Sequence, residues 1–254
     1  MVHRRWVSPC LVFLLVLSLL AGNPSAAAES SLRICTTGDY PPLTQRDPVT
    51  GGYTGIDIEM SRALADHLGR TPVYLATTWP TLSQDLETCD IAVGGITITS
   101  ARMKVGEFTI PYLDTGKAPL ARRAVAPQLQ SLEQINQPGV RVIENPGGTN
   151  EQFARAQLPN ADLIIWPDNV TIFDRLAGGA ADVMITDNIE ARYQAALNPE
   201  LVAVNPEHPF TSDQKAYLLP HGSTLTADVD AWLHGALTNG TFDQILQRWI
   251  GPGR

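Results

Sequence analysis

Apolar residues in this chain fall into short runs of two different periods, separated by polar or glycine-rich turns. Residues 32–35 form a compact apolar run that ends in Thr36-Thr37-Gly38-Asp39-Tyr40-Pro41-Pro42, which predicts a strand entering a turn. Past Gly51-Gly52-Tyr53-Thr54-Gly55, residues Ile56, Met60, Leu64 and Leu68 recur at helical spacing. Gly69 stops the predicted helix over 57–68. A strand over 73–76, the loop Thr77-Thr78-Trp79-Pro80, a helix over 81–88 and a strand over 90–95 follow. Ile96-Thr97-Ile98-Thr99-Ser100 then leads to a short helix carrying Arg102. This rhythm predicts parallel strands with helices on both faces.

The chain leaves that unit near 118–125. A second set of elements comprises a strand over 140–144, the turn Asn145-Pro146-Gly147-Gly148-Thr149-Asn150, a helix over 151–157, a strand over 162–166 and a helix over 171–177. After Gly178-Gly179, the run Val183-Met184-Ile185 reads as a buried strand. It turns polar at Thr186-Asp187 and becomes helical, with Ile189, Tyr193 and Leu197 a turn apart. Lys215-Ala216-Tyr217-Leu218-Leu219 is a strand returning to the first unit. Two amphipathic helices follow, with stripes Val229-Leu233-Leu237 and Phe242-Ile245-Leu246-Trp249. Two units joined by two crossings leave a cleft between them, the usual place for a small ligand. The strand ends face it, as in open α/β sheets generally.

Composition adds a compartment. His3, Arg4 and Arg5, an apolar run over 11–20 and Ala26-Ala27-Ala28 make an export signal with a small-residue cleavage site, so the mature chain is expected to begin near Glu29. Losing Arg4 and Arg5 leaves 16 Lys+Arg against 26 Asp+Glu, a net charge of −10. Such a surface excludes nucleic acid and anionic membranes as partners, and any anionic ligand then needs a local cation. Cys35 and Cys89 remain in an oxidising compartment, where a disulfide and two free thiols both stand open. The five His are scattered with no zinc spacing, and no GxSxG is present.

Several positions carry candidate chemistry, each with a plainer alternative. Asp187 ends a strand and Glu190 lies in the first turn beyond, so two carboxyls can face one cleft; equally, they can form a helix cap. Arg102, at a helix start, can grip a carboxylate through two parallel bonds or simply sit at the surface. The 145–150 loop suits an anion, or is a turn with Thr149 or Asn150 as cap. Trp79 floors a pocket or belongs to the core, and Lys215 flanks an apolar strand where a solvated lysine is the common case.

Thr36-Thr37-Gly38-Asp39-Tyr40, Gly52-Tyr53-Thr54-Gly55-Ile56-Asp57, Gly94-Gly95-Ile96-Thr97 with Arg102, and Ile110-Pro111-Tyr112 resemble the extracytoplasmic amino-acid-binding proteins of ABC transporters. That resemblance implies an α/β, two-lobed periplasmic-binding-protein-like type II fold, each lobe a sheet flanked by helices, with two hinge crossings. Lobe one would span 29–119 and 215–254, lobe two 120–214, after a signal peptide over 1–28. Longer blocks are similar to the cyclohexadienyl dehydratase family on this scaffold: residues 145–151, Phe153-Ala154-Arg155-Ala156, residues 167–173, Thr186-Asp187 with Ile189-Glu190-Ala191-Arg192, and residues 215–220. This likeness implies conversion of prephenate to phenylpyruvate and of arogenate to phenylalanine. It implies Glu190 as general acid with Asn150 and Lys215 beside it, and Arg102 on a substrate carboxylate. Trp79, Gly95, Thr97, Thr149, Asp187, Asp39 and Tyr40 would line the substrate site. No metal or organic cofactor is expected, and a homo-oligomer is compatible with the chain. Lys215 is expected to serve the substrate rather than Glu190, because a lysine paired only with Glu190 would drive off its proton. The rival reading is a solute receptor in which Asp187 holds an α-amino group, Arg102 the α-carboxylate, and Glu190 is lining.

Overall fold

The computed structural model describes residues 1–2 and 31–251; residues 3–28 of the expected export signal, and the expected cleavage site, lie outside the described residues. Two five-stranded mixed sheets carry the molecule. In the first, the strands run in the order Thr71–Ala76, Ser31–Thr36, Ile91–Ala92, Leu218–Pro220, Gly106–Phe108. The first three are parallel, and Leu218–Pro220 is antiparallel to both its neighbours. In the second, the order is Asp162–Ile165, Arg141–Glu144, Val183–Asp187, Lys117–Arg122, Leu201–Ala203, parallel on one side of Val183–Asp187 and antiparallel on the other. Helices cover the sheets, each with its apolar stripe inward: Ile56, Met60 and Leu64 of the helix Ile56–His67 pack with Val229, Leu233, Phe242 and Ile245 of the two C-terminal helices.

The chain passes between the sheets through Leu113–Thr115 and returns through Asp213–Lys215, and these two segments pair antiparallel with each other. Functional side chains gather at this crossing because the parallel strands of both sheets end there.

Four local expectations need correction. The strand over 90–95 is shorter: only Ile91–Ala92 joins the ladder, because Gly94 and Gly95 take φ of +115° and +72° and turn their amides toward Asp57. The strand over 215–219 is broken. Lys215 ends one ladder and Leu218 begins another, while the amides of Ala216 and Tyr217 go to Ile96 O and Thr109 Oγ1. Leu197 is exposed rather than part of the buried stripe with Ile189 and Tyr193. Finally, Gly148 occupies the N-cap position of Thr149–Gln157, so Thr149 and Asn150 fall inside the first turn, where both side chains turn toward Lys117. Cys35 and Cys89 are joined as a disulfide with Cα atoms 5.8 Å apart.

Candidate active site

At the crossing, the second sheet supplies Asp187 from the end of Val183–Asp187, and the helix Asn188–Leu197 begins at once. Asp187 stands at the cap position but makes no side-chain cap bond. Its buried carboxylate instead meets two lysines: Lys117 Nζ on Oδ1 at 2.9 Å and Lys215 Nζ on Oδ2 at 2.5 Å. The Tyr40 hydroxyl donates to Oδ2 as well. Burial by itself would raise the pKa of this carboxyl, but the two ammonium groups outweigh it and hold the group far below the ordinary carboxylate range.

Lys215 is buried, not a solvated flank. Thr97 pairs with it across an isolated bridge, and its Nζ donates to Thr97 Oγ1 at 2.8 Å and lies over the Tyr40 ring. Burial lowers its pKa to about 8, with Asp187 opposing the shift. Lys117 is equally buried; its Nζ also donates to Thr149 Oγ1 at 2.9 Å and Asn150 Oδ1 at 2.5 Å. The cation thus orients the first turn of Thr149–Gln157.

Glu190 lies one side chain behind this wall. It is fully buried; Thr186 Oγ1 donates to its Oε2, and Asn150 Nδ2 donates to Thr186 Oγ1 at 3.3 Å. Its other oxygen, Oε1, is buried with no hydrogen-bond partner among the described residues, and no cation forms a salt bridge with it there. Burial raises its pKa well above the usual glutamate value; the Thr186 bond opposes this, and the negative charge of Asp187 adds to it. The carboxyl therefore stays neutral where an exposed glutamate has long ionised.

Arg102 sits in a single 3-10 turn and is buried, not at the surface. Its Nη1 donates to Thr97 O at 3.0 Å and its guanidinium lies 5.6 Å from the Trp79 ring centre. Burial lowers its pKa to about 10. Asp39 is pushed toward the neutral form by burial. Its backbone oxygen accepts from Asn169 Nδ2 at 2.8 Å, a bond between the two sheets' loops.

Residues 32–252 match the bacterial extracellular solute-binding proteins, family 3. The chain belongs to that family. A cyclohexadienyl dehydratase of Pseudomonas aeruginosa is 46% identical over 245 residues, covering 92% of this chain and 91% of its own. The crystal structure of an ancestral amino-acid-binding protein, described as a precursor of cyclohexadienyl dehydratase, matches with a TM-score of 0.80 at 34% identity, over 87% of this chain and 96% of its own. An ancestral cyclohexadienyl dehydratase matches with a TM-score of 0.53 at 45% identity, over 88% of this chain and 93% of its own. The two-lobed α/β fold of the family is the fold described above.

Within this family frame, a small pocket of about 20 Å³ lies at the crossing. Of the residues singled out from sequence, Tyr40, Trp79, Gly95, Thr97, Thr149, Asn150, Asp187 and Lys215 form its wall. Arg102, Asp39 and Glu190 are not part of that lining. Gly95 is required there, since a Cβ at its φ of +72° would fall 2.3 Å from Tyr40 Cε1. Sequence reasoning passed over Lys117, and it named Asn145 and Asn169 only as parts of longer stretches, not as lining residues. Lys117 did leave a signal, a single charge opening the otherwise apolar run Lys117-Ala118-Pro119-Leu120-Ala121. Asn145 and Asn169 lay in the 145–151 and 167–173 blocks, but as turn residues neither stood out singly. No cluster of three or more potential metal ligands occurs among the described residues.

Proposed function

We propose that this chain is a cyclohexadienyl dehydratase, a carbon–oxygen lyase converting prephenate to phenylpyruvate and arogenate to phenylalanine by general-acid catalysis. It would act in the periplasm after loss of residues 1–28, as a two-lobed enzyme with one lobe of 29–119 plus 215–254 and the other of 120–214. The observation that carries the reading is the contrast between two adjacent carboxyls. Asp187 is neutralised by two lysines, and Glu190 has none and keeps its proton. A receptor for amino acids would need Asp187 free to take an ammonium group, and it would have no use for a neutral acid.

The chemistry follows from charge. Prephenate dianion plus one proton gives phenylpyruvate, CO2 and water, so the protein must bind two carboxylates and deliver a proton to a poor leaving group, hydroxide. Lys117, Lys215 and Arg102 outnumber the carboxylates Asp187 and Asp39, which leaves the site positive for a dianion inside an acidic protein. Arg102 takes the side-chain carboxylate, because a fork of donors holds a group that must stay. The ring carboxylate must depart as CO2, and a desolvated, weakly held place speeds its loss. Glu190, one side chain behind the pocket wall, supplies the proton that reaches the ring hydroxyl, while Thr186 bonds its Oε2 and Asn150 bonds Thr186. Lys215 and Thr97 steady the hydroxyl and its neighbours. Positioned acid catalysis of this kind contributes about 10²–10⁴-fold.

The test is direct: purified protein is mixed with prephenate and phenylpyruvate is followed by its absorbance in alkali. Steady turnover supports the reading. Binding of prephenate with no product above the uncatalysed rate overturns it and leaves a receptor.

A further inference from the structure

Asn169 lines the pocket with one arm of its amide bonded and the other open. It lies in the loop between Asp162–Ile165 and Ile172–Ala177. Its neighbours are pinned: Asp168 Oδ1 accepts the Val170 N–H at 2.9 Å, and Asp168 Oδ2 accepts the Thr171 hydroxyl at 2.8 Å. The Trp166 indole N–H donates to that same Thr171 oxygen at 3.0 Å. Val170 is thereby left exposed, while Asn169 is only 7% exposed. Its Nδ2 crosses to the other sheet's loop and donates to Asp39 O at 2.8 Å. A backbone carbonyl only accepts, so this bond fixes which arm of the amide is NH2 and which is oxygen. The oxygen arm, Oδ1, is buried with no partner among the described residues. A buried acceptor left open is costly until a donor fills it. Asn145, on the same wall, also has an open Oδ1, but no bond fixes its amide among the described residues, so it can present either arm.

Resting on the dehydratase reading, we propose that Asn169 Oδ1 receives the α-ammonium of arogenate, which makes Asn169 the residue that tells arogenate from prephenate. The two substrates share both carboxylates and the ring hydroxyl. They differ at one carbon, which bears an ammonium in arogenate and a ketone oxygen in prephenate. Asp187, the carboxylate on the pocket wall, is already taken by Lys117 and Lys215 and is closed to an ammonium. Asn169 has no such competitor: its one bond goes to Asp39, and neither residue bonds a lysine or arginine among the described residues. An ammonium brings donors to the open oxygen. A ketone brings a second acceptor, and both oxygens then stay unpaired. The amide does not turn to suit the ketone, because Nδ2 would have to leave Asp39 O.

Asn169→Ala removes Oδ1 and the bond to Asp39 together. Loss of the Asp39 bond burdens both substrates alike, so kcat/KM for arogenate divided by kcat/KM for prephenate isolates Oδ1. That ratio should fall about 10–100-fold, the range for a hydrogen bond to a charged group. Asn169→Asp keeps an acceptor in the same place and should hold the ratio at or above its wild-type value. A purely structural Asn169 would lower both substrates by one factor and leave the ratio alone. In the unmutated protein, calorimetry should show L-phenylalanine bound about tenfold more tightly than 3-phenylpropanoate, which lacks only the ammonium. An unchanged ratio in folded Asn169→Ala overturns the proposal, as does a fall in Asn169→Asp equal to that in Asn169→Ala. So does equal affinity for L-phenylalanine and 3-phenylpropanoate, a measurement that decides the matter even if the variants do not fold. Wild-type turnover of prephenate with any of these negative results sinks the assignment of Asn169 alone; absence of wild-type turnover sinks the dehydratase reading itself.

Discussion

Glu190→Gln should destroy activity and stabilise the protein at the same time. Glutamine keeps the acceptor for the Thr186 hydroxyl but has no proton to lend, so kcat should fall about 10²–10⁴-fold, equivalent to roughly 3–5.5 kcal/mol of barrier. The stability effect follows from linkage. The folded state keeps Glu190 neutral well above its ordinary value of 4.5, whereas the unfolded chain ionises there. Between the two, the native state binds more protons than the unfolded one. Stability therefore falls as pH rises, by about 1.4 kcal/mol for each unit until the folded acid also ionises. Glutamine does not titrate, so the variant should lose this slope. Urea denaturation of both proteins at half-unit steps from pH 5 to pH 8, with prephenate turnover alongside, measures it. The variant should gain on wild type steadily with pH while its activity stays low throughout. Parallel stability curves, or activity within a factor of two, would refute the claim that a neutral carboxyl is stored here.

Three further outcomes are expected. Lys215 loses its proton in the folded state near pH 8, so KM for prephenate should rise above that pH, and Lys215→Met should flatten that limb at a uniformly higher KM. Arg102→Lys keeps the charge but cannot form two parallel bonds or stack on Trp79; KM should rise about 10–100-fold with little change in melting temperature, read by steady-state kinetics. Reducing Cys35–Cys89, which closes a loop of sequence separation 54, should lower stability by up to about 4 kcal/mol in denaturant titrations with and without thiol.

Much of the architecture was legible because it depends on local periods. The stripe of Ile56, Met60 and Leu64 and that of Val229 and Leu233 are buried as their spacing predicts. Errors fell where the backbone is governed by a distant partner. Gly94 and Gly95 leave the strand because Asp57, 37 and 38 residues earlier, takes their amides. Lys215 looked like a solvated flank because it opens an apolar strand, and the carboxylate that balances it when buried, Asp187, lies 28 residues earlier.

Residue order by itself determined most of the helices and strands, the acidic composition, and the positions of Asp187 and Glu190 at the end of one strand and the start of one helix. Which of those two carboxyls keeps its proton was decided only by the fold. Both sit beside the same pocket and three residues apart, with identical chemistry. Lys117 and Lys215 reach Asp187 from 70 and 28 residues away and reach Glu190 with no salt bridge at all. A buried carboxyl ionises when a cation compensates the water it has lost and stays neutral when none does. That compensation depends on distances across the chain crossing, which the spacing of residues along the chain does not contain.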